Sequence, residues 1–149
     1  MNSKKKKRVI LTILIILWAI LVFYLSNQES DESSGFSFRF TSLFIKDIEL
    51  ATFIEPYFRK IAHYIEYMIG GILFGYLFNT YDWKDEKIIF ISCLLGIWYA
   101  ALDEIHQIFV PGRAGRIVDV YLDSLGIASG VVLILIIIKI ISKNKKRKM

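Results

Sequence analysis

Four long apolar segments, separated by polar ones, dominate the pattern of the chain. They cover about residues 9–25, 61–78, 88–110 and 117–141. A helix needs about 20 mostly apolar residues to cross the hydrocarbon core of a bilayer, and the four segments are close to that length or longer. The pattern therefore predicts an all-α fold, an integral membrane four-helix bundle in which residues 1–149 form one domain.

The polar segments between these spans predict loops of unequal length. Residues 26–60 form a long loop between the first and second spans. Its first part, residues 27–35, is rich in Ser, Asp and Glu and predicts irregular structure. Residues 44–58 have a mixed composition that is compatible with a helix at the membrane interface. A short polar turn, residues 79–87, joins the second and third spans.

The basic run at residues 4–8 precedes the first span, as it would in a secretory signal peptide. The apolar core of such a signal is about 7–15 residues long and ends at small residues. Here the apolar segment is longer, and no small-residue cleavage site follows it. The sequence therefore predicts an uncleaved first helix.

Lysines and arginines are distributed unequally between the two ends of the predicted bundle. With both termini in the cytoplasm, thirteen of the 19 fall on the cytoplasmic side and six on the other. Because cytoplasmic loops carry an excess of Lys and Arg, this bias predicts an N-in, C-in topology. A net charge of +5 would suggest nucleic acid as the partner of a soluble protein. Most of this charge instead flanks apolar segments, so the expected partner is the lipid bilayer and not nucleic acid.

Polar side chains concentrate at the outer ends of the predicted spans. These positions hold His63, Glu66, Tyr67, Asp103, Glu104, His106, Gln107, Arg113, Arg116, Asp119 and Asp123. Ionisable groups at membrane depth are costly and usually have a function. We therefore predict a polar cup at the extracytoplasmic end of the bundle, in which all of these residues except His106 surround one ligand site.

Glycines follow the polar groups in two of the spans. Gly70 and Gly71 lie in the second span, and Gly126 and Gly130 in the fourth. Small residues spaced four apart let helix backbones approach closely in membranes. The sequence therefore predicts close helix contact beneath the polar cup.

Three motifs in order along the chain resemble the VanZ-like family of bacterial membrane proteins. They are Lys60-x-x-His63-x-x-Glu66-Tyr67, Asp103-Glu104-x-x-Gln107-x-Phe109-x-Pro111-Gly112-Arg113, and Asp119 with Gly126; Ser26-x-Gln28 is a weaker match. The resemblance covers the first span to the last. In one departure, Asp123 stands where members of the family often carry asparagine.

The resemblance implies a location in the bacterial cytoplasmic membrane and a role in the cell envelope. The family is named for a protein linked to resistance to the glycopeptide teicoplanin, so tolerance to such antibiotics is expected. The resemblance supplies no catalytic residues, and the cofactor stays unknown.

Three functions are compatible with the polar cup. In the first, Arg113 and Arg116 bind an anionic envelope lipid or peptidoglycan precursor, because the planar guanidinium donates two parallel hydrogen bonds to phosphate or carboxylate. His63, Glu66 and Gln107 would then orient the ligand. In the second, the protein is a hydrolase or transferase on an envelope lipid. In the third, the cup serves only a structural or regulatory role.

The enzyme hypothesis points to specific candidate residues for catalysis. The possible catalytic residues are His63, Glu66, Asp103, Glu104 and His106, of which the histidines titrate near neutral pH. A metal-dependent version uses His63 with Glu66 and Asp103 with His106. Each pair joins an imidazole to a carboxylate three residues apart, as in helix bundles that hold two metal ions. Asp119 and Asp123 would complete that site.

Overall fold

A computed structural model describes residues 2–27, 30–113 and 115–147. The described chain forms five helices: α1 (Ser3–Ser26), α2 (Ser30–Phe44), α3 (Ile48–Asn79), α4 (Asp85–Gln107) and α5 (Ile117–Arg147). Within these residues there is no strand. The helices α1, α3, α4 and α5 are long and apolar enough to cross a membrane. This result confirms the predicted all-α membrane bundle with four spans.

The predicted irregular structure at the start of the long loop is wrong from Ser30 onward, where α2 begins. Packing against α3 explains the helix better than composition does. Thr41 of α2 is fully buried, and the Phe40 ring lies 6.4 Å from the ring of Phe58 in α3. Gln28, part of the weaker family motif, lies outside the described residues.

The helix α3 begins well before the predicted second span. Asp47 caps its first turn, because its carboxylate accepts hydrogen bonds from the backbone N–H groups of Glu49 (3.0 Å) and Leu50 (3.2 Å). The helix then continues through Pro56 to Asn79. The predicted interfacial helix at residues 44–58 is therefore the first part of the α3 helix from Ile48 on.

The other helix ends differ less from the prediction. The third span, predicted to reach residue 110, is helical only to Gln107, because the chain turns at Pro111 and Gly112, whose φ is 74°. The fourth span, predicted to end at residue 141, continues as helix to Arg147. The positive charges of the basic residues in its last turn interact favourably with the negative end of the helix dipole.

The backbones of α3 and α5 touch at glycines. A Cβ atom added to Gly71 would overlap the carbonyl oxygen of Ile127, and one added to Gly130 would overlap that of Met68. No larger residue fits there without a shift of the backbone. The close helix contact predicted at these glycines is confirmed, and the structure shows that α3 and α5 are the helices that meet.

The helix α1 is held against the other helices by the Trp18 side chain. The Trp18 indole lies 5.8 Å from the ring of Tyr67 and 5.2 Å from that of Tyr99, and its N–H donates a 2.9 Å hydrogen bond to the carbonyl oxygen of Glu66. The Tyr99 hydroxyl donates in turn to the carbonyl oxygen of Ala19, at 2.5 Å. These contacts connect α1 with α3 and α4 just below the polar end of the bundle.

At the opposite end of the bundle, the basic start of α1 binds the turn between α3 and α4. The Arg8 guanidinium donates to the Thr80 hydroxyl (3.1 Å) and carbonyl oxygen (2.7 Å), and it stacks 3.8 Å above the ring of Tyr81. The ammonium of Lys4 pairs with the carboxylate of Asp82, which holds the pKa of Asp82 below its usual range. These bonds fix the start of α1 against the turn between α3 and α4.

Candidate functional site

A pocket of about 200 Å³ lies where α3, α4, α5 and the loop between α4 and α5 meet. Its lining residues are Arg59, Lys60, His63, Glu104, Gln107, Gly112, Arg113, Arg116, Asp119, Leu122 and Asp123. Seven of the ten predicted ligand-binding residues are among them. The polar ends of the helices therefore meet around one pocket, at the end of the bundle that the sequence assigned to the polar cup.

The loop between α4 and α5, described at residues 108–113 and 115–116, packs against α4. The buried carboxylate of Glu104 accepts a 2.7 Å hydrogen bond from the backbone N–H of Arg116. Gly115 packs so closely that a Cβ atom there would overlap the carbonyl oxygen of Glu104. Glu104 therefore positions the loop that carries the two arginines.

Arg113 connects this loop with the end of α1. Its guanidinium donates a 3.3 Å hydrogen bond to the carbonyl oxygen of Leu25. Burial and the nearby Arg59 guanidinium lower the pKa of Arg113, while Asp103 and Glu104 act in the opposite direction. Because residues of α1, α3 and α4 all act on this one side chain, Arg113 lies at the junction of the helices.

The helix α3 adds two cations that were not among the predicted site residues, although Lys60 belongs to the family motif. Arg59 and Lys60 line the pocket one turn before His63, and the Lys60 ammonium lies 3.7 Å from the Asp119 carboxylate of α5. Their spacing of four and three residues from His63 was the signal that would have identified them. With Arg113 and Arg116, they bring four cationic side chains to the pocket.

Asp123 and Asp103 are the most deeply buried acids of the site. Asp123 is fully buried, and its two carboxylate oxygens accept no hydrogen bond from the described residues. Asp103 is buried behind the pocket, where it accepts a 3.1 Å hydrogen bond from the Gln107 side-chain amide. Since a buried polar group without a partner is costly, Asp123 is the pocket residue most in need of a donor.

Three predicted site residues point elsewhere. Tyr67 is fully buried among the aromatic rings near Trp18. The His106 ring lies 4.5 Å from the ring of Phe23 in α1. Glu66, one turn after His63, lines a groove between α1 and α3. The pocket therefore holds His63 and Glu104 of the five possible catalytic residues, and Asp103 lies behind it.

The metal-dependent arrangement gains no geometric support. Within residues 2–27, 30–113 and 115–147, no group of three or more His, Cys, Asp or Glu side chains is arranged to hold a metal ion. The two predicted pairs of metal ligands lie apart in the structure. His63 lines the pocket, whereas the His106 ring packs against Phe23.

Comparison with known proteins gives one match. A family model described as VanZ/LLP1 matches residues 11–139, a range that includes every residue lining the pocket. No curated protein and no solved structure shows significant similarity to the chain. Because the match covers most of the chain and agrees with the motifs at His63, Asp103 and Asp119, the protein belongs to the VanZ/LLP1 family.

Proposed function

We propose that the protein binds the anionic headgroup of an envelope lipid or lipid-linked wall precursor in this pocket. The observation that carries the proposal is the convergence of four cationic side chains on one small cavity. Arg59 and Lys60 come from α3, and Arg113 and Arg116 come from the loop between α4 and α5. Guanidinium groups suit phosphate because they donate paired hydrogen bonds in a fixed plane.

The acidic residues of the pocket support the arrangement of the cations. Glu104 accepts the Arg116 backbone N–H, and Asp119 pairs with Lys60. Asp123 remains as an acceptor for a donor on the ligand, such as a hydroxyl group. The site would therefore recognise an anion that also carries a hydrogen-bond donor.

The size of the pocket limits the ligand. Its volume of about 200 Å³ is below the roughly 300–1,000 Å³ of sites that enclose drug-sized molecules. A phosphate with a small polar substituent fits this space, whereas a complete glycopeptide or wall precursor would extend outside it.

We place the pocket on the extracytoplasmic side of the bacterial cytoplasmic membrane, because of the lysine and arginine bias. A protein that binds anionic lipid there would alter the surface that a glycopeptide antibiotic reaches. Tolerance to teicoplanin-type antibiotics is the corresponding biological role, in keeping with the family resemblance.

An enzyme acting on the same lipid is the second candidate, and His63 is the residue that favours it. Its imidazole lines the pocket beside Asp119 and Asp123, where a bound phosphate ester would lie within reach of a base. A hydrolase or transferase would change the mass of the lipid during incubation, whereas a binding protein would leave it intact.

The test is binding of phosphatidylglycerol and phosphatidylcholine to the purified protein in detergent, measured by native mass spectrometry. We expect tighter binding of phosphatidylglycerol. Arg116→Ala should weaken it about tenfold or more, since a hydrogen bond to a charged group contributes about 1.5–3 kcal/mol. Arg39→Ala removes an exposed arginine of α2 outside the pocket and serves as the control.

Equal affinity for both lipids would contradict the proposal that the pocket recognises an anionic headgroup. The biological role requires a separate assay, in which cells that produce the protein tolerate more teicoplanin than cells that produce the Arg116→Ala variant. Equal susceptibility of the two strains would contradict the tolerance role and leave the binding result in place.

A further inference from the structure

A long apolar groove runs along the outside of the bundle between α1 and α3. Its volume is about 840 Å³. On α1 its lining includes Leu17 and Leu25, and on α3 it extends from Phe58 to Leu73. The part of α3 that lines the groove is about 22 Å long at 1.5 Å per residue.

The groove and the polar pocket meet at Arg59. This residue lines both cavities. A second link joins them, because Leu25 lines the groove and its carbonyl oxygen accepts the hydrogen bond from Arg113 of the pocket. An apolar surface thus leads directly to a cationic pocket.

From this continuity we infer that the ligand is a whole membrane lipid, with its phosphate in the pocket and one hydrocarbon chain in the groove between α1 and α3. The inference rests on the proposed function and adds to it the chain of the ligand and its route of entry. The lipid enters sideways from the surrounding leaflet, because the exposed leucines of α1 and isoleucines of α3 face outward on both sides of the groove.

The dimensions and the charge of the groove favour a lipid chain as the occupant. One leaflet contributes about half of the roughly 30 Å hydrocarbon core, so the groove is long enough for a chain of that leaflet. Its end at Arg59 provides a cation where the headgroup would begin. The Glu66 carboxyl group also lines it, and one carboxyl oxygen is buried without a hydrogen-bond partner among the described residues.

The experiment compares phosphatidylglycerol with glycerol phosphate, which has the headgroup but no chain. Ile65→Trp fills the groove, and Ile97→Trp is the matched control on α4, outside the groove. The two isoleucines are similarly exposed, at 45% and 43%. Binding of both ligands to the protein and its variants is measured by isothermal titration calorimetry in detergent.

We expect Ile65→Trp to weaken phosphatidylglycerol binding about tenfold, the loss that corresponds to about two methylene groups that are no longer buried. Glycerol phosphate binding should stay unchanged, and Ile97→Trp should affect neither ligand. If Ile65→Trp does not fold, Leu17→Trp on the other side of the groove replaces it. Its control is Leu94→Trp, since these leucines are 56% and 53% exposed.

The outcomes separate this inference from the proposed function. Unchanged phosphatidylglycerol affinity in the groove variants would overturn the inference, as would glycerol phosphate binding as tightly as the lipid; in both cases the pocket would stand. Failure of the unmodified protein to bind either ligand would overturn the proposed function, and the inference with it.

Discussion

The carboxylate of Glu104 and the backbone N–H of Arg116 form a 2.7 Å hydrogen bond across the loop between α4 and α5. Twelve residues separate the two groups in sequence. A family-motif carboxylate that sequence reasoning assigned to the ligand therefore binds the protein's own backbone. Through this bond, the buried end of α4 determines the position of the loop that carries Arg113 and Arg116.

We expect Glu104→Ala to loosen the loop and to lower the free energy of unfolding by about 0.5–1.5 kcal/mol, because the half-buried hydrogen bond between the Arg116 N–H and the Glu104 carboxylate is lost. Hydrogen exchange at the Arg116 amide should become faster. Glu104→Gln keeps an acceptor oxygen and should retain part of the protection. Unchanged exchange at Arg116 in the alanine variant would show that this hydrogen bond does not hold the loop.

The two loop arginines should respond differently to replacement by lysine. Arg113→Lys loses the guanidinium that reaches the Leu25 carbonyl oxygen, so the melting temperature without ligand should fall by a few degrees, about 1 kcal/mol. The Arg116 guanidinium lines the pocket and makes no hydrogen bond to the described residues. Arg116→Lys should therefore leave the melting temperature unchanged and weaken phosphatidylglycerol binding.

Thermal unfolding in detergent, with and without phosphatidylglycerol, measures both effects. The reverse pattern, with a destabilised Arg116→Lys and an unaffected Arg113→Lys, would exchange the roles of the two arginines. Full binding by both variants would remove the headgroup role.

Alanine at the glycines between α3 and α5 should destabilise the bundle. Gly71→Ala and Gly130→Ala each place a methyl group on a backbone carbonyl oxygen of the other helix, and overpacking of this kind typically costs about 1–3 kcal/mol. Gly35→Ala in α2 is the control, since a Cβ atom there meets nothing within 4 Å. Equal melting temperatures for all three variants would mean that the backbones of α3 and α5 are further apart than described.

Cysteine labelling tests the predicted orientation. In a Cys93→Ser background, we expect Ser42→Cys in α2 to react with a membrane-impermeant maleimide in intact cells. Lys84→Cys, in the turn between α3 and α4, should react only after permeabilisation. Both original side chains are exposed, so the label can reach either position. Labelling of Lys84→Cys alone in intact cells would place the pocket on the cytoplasmic side.

The number of spans and the polar character of one end were predictable from the sequence. The thickness of the hydrocarbon core sets a minimum length for a membrane-spanning apolar segment, and four segments of the chain reach that length. The glycine spacing also predicted close helix contact correctly, because at Gly71 and Gly130 the backbone itself is the packing surface.

The residues that share the pocket were decided by tertiary packing. Inside a membrane, the lipid is as apolar as the protein core, so hydrophobic periodicity says little about which face of a helix turns inward. Rotation of the helices placed His106 against Phe23 and Tyr67 among aromatic rings, while it brought Arg59 and Lys60 into the pocket.

Outside the spans, the helix α2 also could not be predicted from the sequence pattern alone. Its serines and acidic residues are typical of irregular structure. Burial of Thr41 and the contact of Phe40 with Phe58 depend on the position of α3, which follows α2 after a connection of only three residues. Sequence composition determined that the chain enters a membrane and where its charges lie; only the packing of helix against helix decided which side chains meet, because that choice depends on contacts between residues far apart in the chain.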